Sequence, residues 1–563
     1  MKVIIVGGVA GGATAAARIR RLDEHAEITV FERSGYISYA NCGLPYYIGD
    51  VITDPEELTL QTPESFFKRF RINMKIHHEV ISIHPERKTV SVKNLENGEI
   101  FEENYDKLIL SPGAKPTQPR LPGVGMDKLF TLRTVEDTFR IKEYINKNHP
   151  KSAVLAGGGF IGLELAENLR ELGMDVTIVQ RPKQLMNPFD PDMASMIHNE
   201  MRKHGIKLVL GYTVEGFKEK DNGVEVLLKD NPSLQADMVV LAIGVTPDTA
   251  LAKEAGLELG IKGSIVVNDR METSVPDIYA AGDAVQVKHY VTGDDALISL
   301  AGPANKQGRI IADNICGGDS RYLGSQGSSV IKVFDMTAAT TGINETNAKK
   351  SGLEVDTVIL SPMSHAGYYP GGKVMTMKVV FEKETYRLLG AQIIGYEGVD
   401  KRIDVLATAI HAGLKATQLK DLDLAYAPPY SSAKDPVNMA GFMIDNIAKG
   451  TLKQWHLEDM DKISKDKSAV LLDVRMVDEF SRGHMDGFKN IPVDELRERI
   501  NEIEKGKPVY LICQSGLRSY IASRILEGNG YETYNFSGGF RFYDAVVNDR
   551  ALIERAYACG MDY

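Results

Sequence analysis

Two glycine turns, at Gly7 and Gly157, constrain this chain more than any other feature. Each sits between a short apolar strand and a helical stretch. Lys2–Val6 runs into Gly7, Gly8, Val9, Ala10, Gly11 and Gly12, then a helix through Arg21, then the strand Ile28–Phe31, which ends at Glu32 and Arg33. Such a turn lets backbone approach a pyrophosphate, and the helix start offers it free N–H groups. Glu32 stands where a carboxylate accepts from ribose hydroxyls. Val9 occupies the place of the second glycine in G-x-G-x-x-G, so the first match is imperfect. The second unit, from Ala153, carries the full pattern in Gly157, Gly159 and Gly162. Its strand Val176–Val179 ends in Gln180 and Arg181 instead of an acid. An acid there favours NAD and Arg181 is able to take a 2′-phosphate, so NADH and NADPH both stay open. Two such units predict two dinucleotide cofactors that meet.

At 563 residues the chain exceeds one core, and roughly three to four domains are expected. Hydrophobic content of 43% and charged content of 25% are those of a globular protein. The net charge of −10 gives no reason to expect a nucleic-acid partner. No apolar run approaches the roughly 20 residues of a membrane span, and MKVIIVGG lacks a signal-peptide cleavage region. Four cysteines without paired spacing point to a reducing compartment, read as the cytoplasm. No metal site is expected.

The fold class is α/β. Tyr105–Pro116 reads as a strand and a tight turn where the chain crosses between domains. Leu241–Pro247 leads back, and Asp277–Ala284 reads as a buried strand followed by Gly282-Asp283 at a helix start. Asp283 suits a polyol hydroxyl, or simply a helix N-cap. The first domain is therefore discontinuous, 1–113 plus 247–325, and the second unit occupies 114–246.

Cys42 lies in SYANCGLPYYIG (38–49), a loop that follows the first unit and so runs toward its cofactor. It has no C-x-x-C mate; the next cysteine is Cys316. A thiol so placed can exchange electrons with a flavin, and its redox mate has to come from outside the chain. Cys316 and Cys559 read as structural or incidental.

This combination resembles the flavoprotein disulfide reductases with two dinucleotide folds, over about residues 1–450. The Cys42 loop narrows the resemblance to the single-cysteine branch of coenzyme A disulfide reductases and NADH oxidases or peroxidases. The resemblance implies FAD on Gly7, Gly8, Gly11, Gly12, Glu32, Arg33, Ser111, Gly113, Gly282 and Asp283. It implies NAD(P)H on Gly157, Gly159, Gly162, Gln180 and Arg181. Residues 326–450 resemble the family's dimerisation domain, which implies a homodimer. There Tyr368 and Tyr426, and less strongly Tyr430, match tyrosines that reach the partner subunit's cysteine. The resemblance also implies coenzyme A contacts at Thr14, Arg18, Arg21, Ser38, Asn41, Asn305, Lys434 and Arg71. From the residues themselves, Thr14, Arg18 and Arg21 share one helix face.

After Gly450 the sequence changes character, beginning at Trp455. Ala469–Pro492 gives a strand, Asp473-Val474-Arg475, a helix and a Gly-His turn. Val509–Tyr531 gives a strand ending at Cys513, the loop Gln514, Ser515, Gly516, Leu517, Arg518 and Ser519, and a helix. Inward loop N–H groups and a helix start stabilise a thiolate or the outer sulfur of a persulfide. Arg518 adds positive charge there, or braces the fold against Asp473. The module, over 455–555, resembles a single rhodanese domain.

The expected function is NAD(P)H-driven, FAD-dependent reduction of S–S bonds in CoA disulfide, CoA persulfide or polysulfide. Cys42 is the nucleophile and Cys513 a carrier of persulfide sulfur. Two alternatives remain: an NAD(P)H oxidase or peroxidase cycling Cys42 through sulfenic acid, and a sulfur carrier or redox sensor.

Overall fold

The computed structural model describes residues 1–221 and 223–559, with side chains to residue 555. Cys559 falls beyond those side chains. Contacts divide the chain into two compact units, Met1–Pro182 with Ile206–Gly327, and Lys183–Gly205 with the described residues from Ser328 on.

The first unit opens with β1 (Lys2–Val6), helix α1 (Ala10–Leu22) and β2 (Glu27–Phe31). After the cysteine loop and the short helix α2 (Leu44–Ile48) come β3 (Asn73–Lys75) and β4 (Lys107–Leu110). The chain then builds a second sheet. It passes through β5 (Leu129–Thr131), α3 (Val135–Asn148), β6 (Ser152–Ala156), α4 (Phe160–Glu171) and β7 (Asp175–Gln180). After α5 (Pro191–Lys203) the sheet is completed by β8 (Lys207–Leu210) and β9 (Met238–Leu241), in the all-parallel order β8-β7-β6-β9-β5. A two-strand link, Ala114–Pro116 against Val245–Pro247, carries the chain out and back. It returns to the first sheet as β10 (Ile278–Ala280), giving the parallel order β10-β4-β1-β2-β3. Every residue of Val3–Ile5 is fully buried, as parallel strands covered on both faces require. Helix α6 (Ala301–Ile315) packs along α1.

One reading of this unit is corrected. Gly282–Ala284 forms only a 3₁₀ turn, and Asp283 caps no helix. Its carboxylate is taken instead by Arg133, at 2.7 Å.

The second unit contains a five-stranded antiparallel sheet. Its strands are β11 (Ser329–Val333), β12 (Met336–Gly342), β13 (Val355–Leu360), β14 (Met375–Glu382) and β15 (Leu388–Gly395), in the order β11-β12-β15-β14-β13. Helices α7 (Val399–His411) and α8 (Pro436–Ala448) follow. Residues 183–205, expected within the 114–246 domain, group with this unit, and a buried charge cluster explains why. Lys378 of β14 is 1% exposed and lies 3.1 Å from Asp190, 2.8 Å from Asp192 and 2.7 Å from Glu345. A buried ammonium needs such partners, so α5 is held where its N-cap and first turn supply two of them.

The last module is an all-parallel sheet of β16 (Gln454–Trp455), β17 (Val470–Asp473), β18 (Lys489–Asn490), β19 (Val509–Ile512) and β20 (Thr533–Phe536), in the order β16-β20-β19-β17-β18. Helices α9 (Leu517–Gly528) and α10 (Gly539–Cys559) flank it. Its core joins Leu472, Val474, Leu496, Leu511, Cys513, Ala522 and Leu526. Trp455 is 2% exposed, and its ring lies 4.4 Å from that of Phe536. Ile359 N–H donates to Ser537 Oγ at 3.0 Å, and His198 Nδ1 lies 2.8 Å from Asp549 Oδ2. These contacts join the module to the rest of the second unit.

Candidate functional site

The two glycine turns are built alike. Gly7 has φ +99° and Gly157 has φ +118°, values that favour glycine. A Cβ on Gly7 would stand 2.1 Å from Ser111 O, and one on Gly157 would stand 2.2 Å from Ala242 O. Gly159, by contrast, has nothing within 4 Å of that position, which leaves room for a phosphate to approach. Both turns are tied to the end of the neighbouring strand. Gly8 N–H donates to Glu32 Oε2 at 2.8 Å, and Gly158 N–H donates to Gln180 Oε1 at 3.0 Å. The residues thus fit one dinucleotide in each sheet, with a carboxylate beside the first ribose position and a neutral amide beside the second. Arg33 pairs with Asp248 at 2.9 Å. Arg181 is exposed. Replacing Gln180 by Glu is expected to lower kcat/KM for NADPH about tenfold relative to NADH, since a carboxylate repels a 2′-phosphate. An unchanged NADPH-to-NADH ratio would show that this strand end does not meet the ribose.

The cysteine loop is stitched to the first turn, because Ser38 N–H donates to Gly8 O at 2.8 Å. Asn41–Gly43 is a 3₁₀ turn that hands Cys42 to the start of α2. Cys42 opens to solvent and is unpaired. Its surroundings nevertheless push the thiol pKa up, first by withdrawing hydration, then through Glu164, with Arg133 opposing and Asp283 adding. Ser111 and Gly113 line the same turn region, Ser111 N–H bonding Val6 O at 2.8 Å.

Among the coenzyme A candidates, Thr14 and Asn305 meet directly, the hydroxyl donating to Asn305 Oδ1 at 2.7 Å. Arg18 pairs with Asp313 at 2.7 Å, while Arg21 is exposed on the same helix face. Arg20 is the structural arginine of this run. It is 8% exposed and donates to the carbonyls of Phe70, Ala26 and Arg71. Arg71 itself ends a helix in left-handed geometry and lies over the Phe67 ring. Lys434 is exposed in the second unit.

Tyr368 and Tyr426, 58 residues apart, bond hydroxyl to hydroxyl at 2.6 Å, and both are exposed, as is Tyr430. Their pairing raises the Tyr426 pKa.

Cys513 is 1% exposed at the end of β19. Its sulfur accepts Gly516 N–H at 3.1 Å and the Ser519 hydroxyl at 3.2 Å. Gly516 has φ +98°, which turns the loop back over the sulfur before α9 begins. Gln514 O faces Arg541 N–H at 3.3 Å, and Leu517 is 66% exposed at the mouth. The suggested Arg518–Asp473 brace is corrected. Arg518 pairs with Glu479 at 2.6 and 2.8 Å and holds that carboxyl down at about 2. Asp473 pairs instead with Arg475 at 2.7 Å, both buried. Arg475 is only two residues along, so its side chain doubles back before the Arg518 loop can reach the strand end. Asp473→Ala strands a buried guanidinium and is expected to cost about 3–5 kcal/mol of unfolding free energy in denaturant melts of the full chain; a loss under about 1 kcal/mol would refute that role.

Residues 1–308 match the pyridine nucleotide-disulphide oxidoreductase family, 328–436 its dimerisation domain and 456–545 the rhodanese-like domain. The chain belongs to the pyridine nucleotide-disulphide oxidoreductase family. Members are flavoproteins that use FAD and NAD(P)H, and this oxidoreductase carries a rhodanese-like module after the dimerisation domain. A coenzyme A disulfide reductase of Staphylococcus aureus is 39% identical over 443 residues, covering 78% of this chain and 99% of that one. The reduced CoADR-RHD of Bacillus anthracis superposes with TM-score 0.95 at 48% identity, covering 98% of each chain. A NAD-dependent persulfide reductase from A. fulgidus superposes with TM-score 0.90 at 39% identity, covering 96% of this chain and 100% of that one. Among the described residues no helix is long and apolar enough to cross a membrane.

Sequence reasoning missed Arg133, Glu164, Tyr46 and Glu479. Glu164 follows Gly162 by two residues and had a positional signal. Arg133 had none, because its partner Asp283 is 150 residues away.

Proposed function

We propose that this oxidoreductase reduces the sulfur–sulfur bonds of CoA persulfide, CoA disulfide or polysulfide, with Cys42 as nucleophile and Cys513 as sulfur carrier. The observation that carries the reading is the presence of two unlike thiol sites in one chain. Cys42 is open and lies beside a dinucleotide turn; Cys513 is buried under two donors. FAD, when bound, supplies the electron pair that comes from NAD(P)H.

The Cys42 thiolate attacks the CoA-bound sulfur of CoA persulfide. One S–S bond breaks, another forms to Cys42, and hydrosulfide leaves. Two electrons then cleave the Cys42–CoA disulfide into two thiolates. With CoA disulfide the first leaving group is a CoA thiolate instead. Tyr368 and Tyr426 use one phenol proton between them, which leaves the other to offer to a departing sulfur. They act from the partner subunit of a homodimer. Thr14, Asn305, Arg18, Arg21, Ser38, Asn41, Arg71 and Lys434 hold the CoA nucleotide. Cys513 carries a persulfide whose outer sulfur passes to a CoA thiolate, regenerating the Cys513 thiolate. Domain borders near 113/114, 246/247, 325/326 and 450/455 and a cytoplasmic location complete the proposal.

Mass spectrometry of the purified, unreduced protein tests it. A CoA-sized adduct is expected on the Cys42 peptide, released by a reductant. Cys42 recovered only as free thiol or sulfenic acid after oxidation in the presence of CoA would turn the reading toward an oxidase.

A further inference from the structure

The acidic face of α4 packs against the helix that begins just after Cys42. Glu164 and Glu167 lie one turn apart on α4, and both face Tyr46 of α2. The helices meet closely. A Cβ on Gly49, at the end of α2, would stand 2.0 Å from Asn168 Oδ1, and Asn168 Nδ2 donates to Glu164 O at 2.7 Å. Glu164 is half-buried and faces Cys42 from α4. The groups that face Cys42 are few: Glu164 from α4, Tyr46 from α2, and Arg133 and Asp283. The last two are bonded to each other at 2.7 Å, so their charges largely offset. That leaves Glu164 as the one uncompensated charge beside the thiol among the described residues. It makes no ion pair there.

We propose that Glu164 is a positioning residue that sets when Cys42 is a thiolate, the two groups holding one negative charge between them. An ionised Glu164 keeps Cys42 as thiol, and a protonated Glu164 releases it to ionise. The inference rests on the reading of Cys42 as nucleophile. Burial and the Glu167 charge push the Glu164 carboxyl up to about 7, so it is able to trade its proton near neutrality. When two electrons from NAD(P)H cleave the Cys42 disulfide, the new charge falls on Cys42 Sγ. Glu164 then takes one proton from solvent, and the local charge stays at one.

The test is alkylation of Cys42 in the FAD-loaded full chain by iodoacetamide as a function of pH, read by peptide mass. Glu164→Gln is expected to lower the midpoint by about one unit, which is roughly tenfold faster alkylation at a fixed pH below it. Glu167→Gln should not lower the midpoint, because losing the Glu167 charge leaves Glu164 ionised to lower pH and so favours the Cys42 thiol. Coincident midpoints for wild type and Glu164→Gln would overturn the proposal.

A second measurement needs no variant. Wild-type protein is carboxymethylated at Cys42 with iodoacetate, or carbamidomethylated with iodoacetamide, and followed by infrared difference spectra. The fixed charge of the first should hold the Glu164 carboxyl protonated to higher pH than the neutral cap does; superimposable titrations would overturn the coupling. Failure of Cys42 as nucleophile is a separate result, read as sulfur–sulfur reduction that survives Cys42→Ser.

Discussion

Cys42→Ser is expected to abolish reduction of CoA disulfide, CoA persulfide and polysulfide alike, with rates falling by at least about 10³-fold. The size follows from the chemistry. A serine hydroxyl cannot form the mixed disulfide, and among the described residues no other cysteine lies free on the first turn's loop. Cys316, the only other described thiol of the first unit, ends helix α6 and packs on the sheet core, and burial raises its pKa. It offers no substitute. The same variant should bind FAD and accept electrons from NAD(P)H normally, since Glu32 and Gln180 are tied to their turns by Gly8 and Gly158 N–H and not by residue 42. Stopped-flow flavin reduction and sulfide release, measured side by side, check both halves. Retention of more than a few per cent of either sulfur activity would remove Cys42 from the mechanism.

The parts legible in the sequence were those set by neighbours in the chain. Strand, glycine turn, helix and acid between Lys2 and Glu32 form one local unit, and the structure adds only that Glu32 reaches back to Gly8 N–H. The same holds for Gln180 and Gly158. The Cys513 loop was readable for the same reason, because both its donors lie within six residues of the sulfur. What escaped depended on distant partners. Arg133 finds Asp283 across 150 residues and removes it from a capping role. Lys378 draws Asp192 across 186 residues, and residues 183–205 go with the second unit as a result. The alternative that Arg518 braces the fold names the right kind of partner and the wrong carboxylate. Carboxylates at 473 and 479 are equally available in sequence, and only the path of the Arg475 side chain decides between them. The Tyr368–Tyr426 bond was likewise invisible, although each residue was singled out by itself.

Cys513→Ser separates the two sulfur sites. It should stop sulfide release from polysulfide by at least about 10²-fold while CoA disulfide reduction, measured as NAD(P)H consumed, stays within a factor of about two of wild type. The argument begins with burial. A thiolate that is 1% exposed is costly unless donors replace its lost water, and Gly516 N–H and the Ser519 hydroxyl do so. A persulfide moves that charge outward to the second sulfur, toward the mouth at Leu517 and the guanidinium of Arg518. Serine fits the same space and keeps the fold, but holds no transferable sulfur. Arg518 acts here with its charge half-offset, because Glu479 grips it through two bonds. That pair also steadies the loop that carries the donors. Fusion of the carrier to the reductase raises its effective concentration, so losing it is felt most when polysulfide is scarce. Equal sulfide release by wild type and Cys513→Ser at low polysulfide would mean that Cys42 takes its sulfur directly, and that the module serves some other donor.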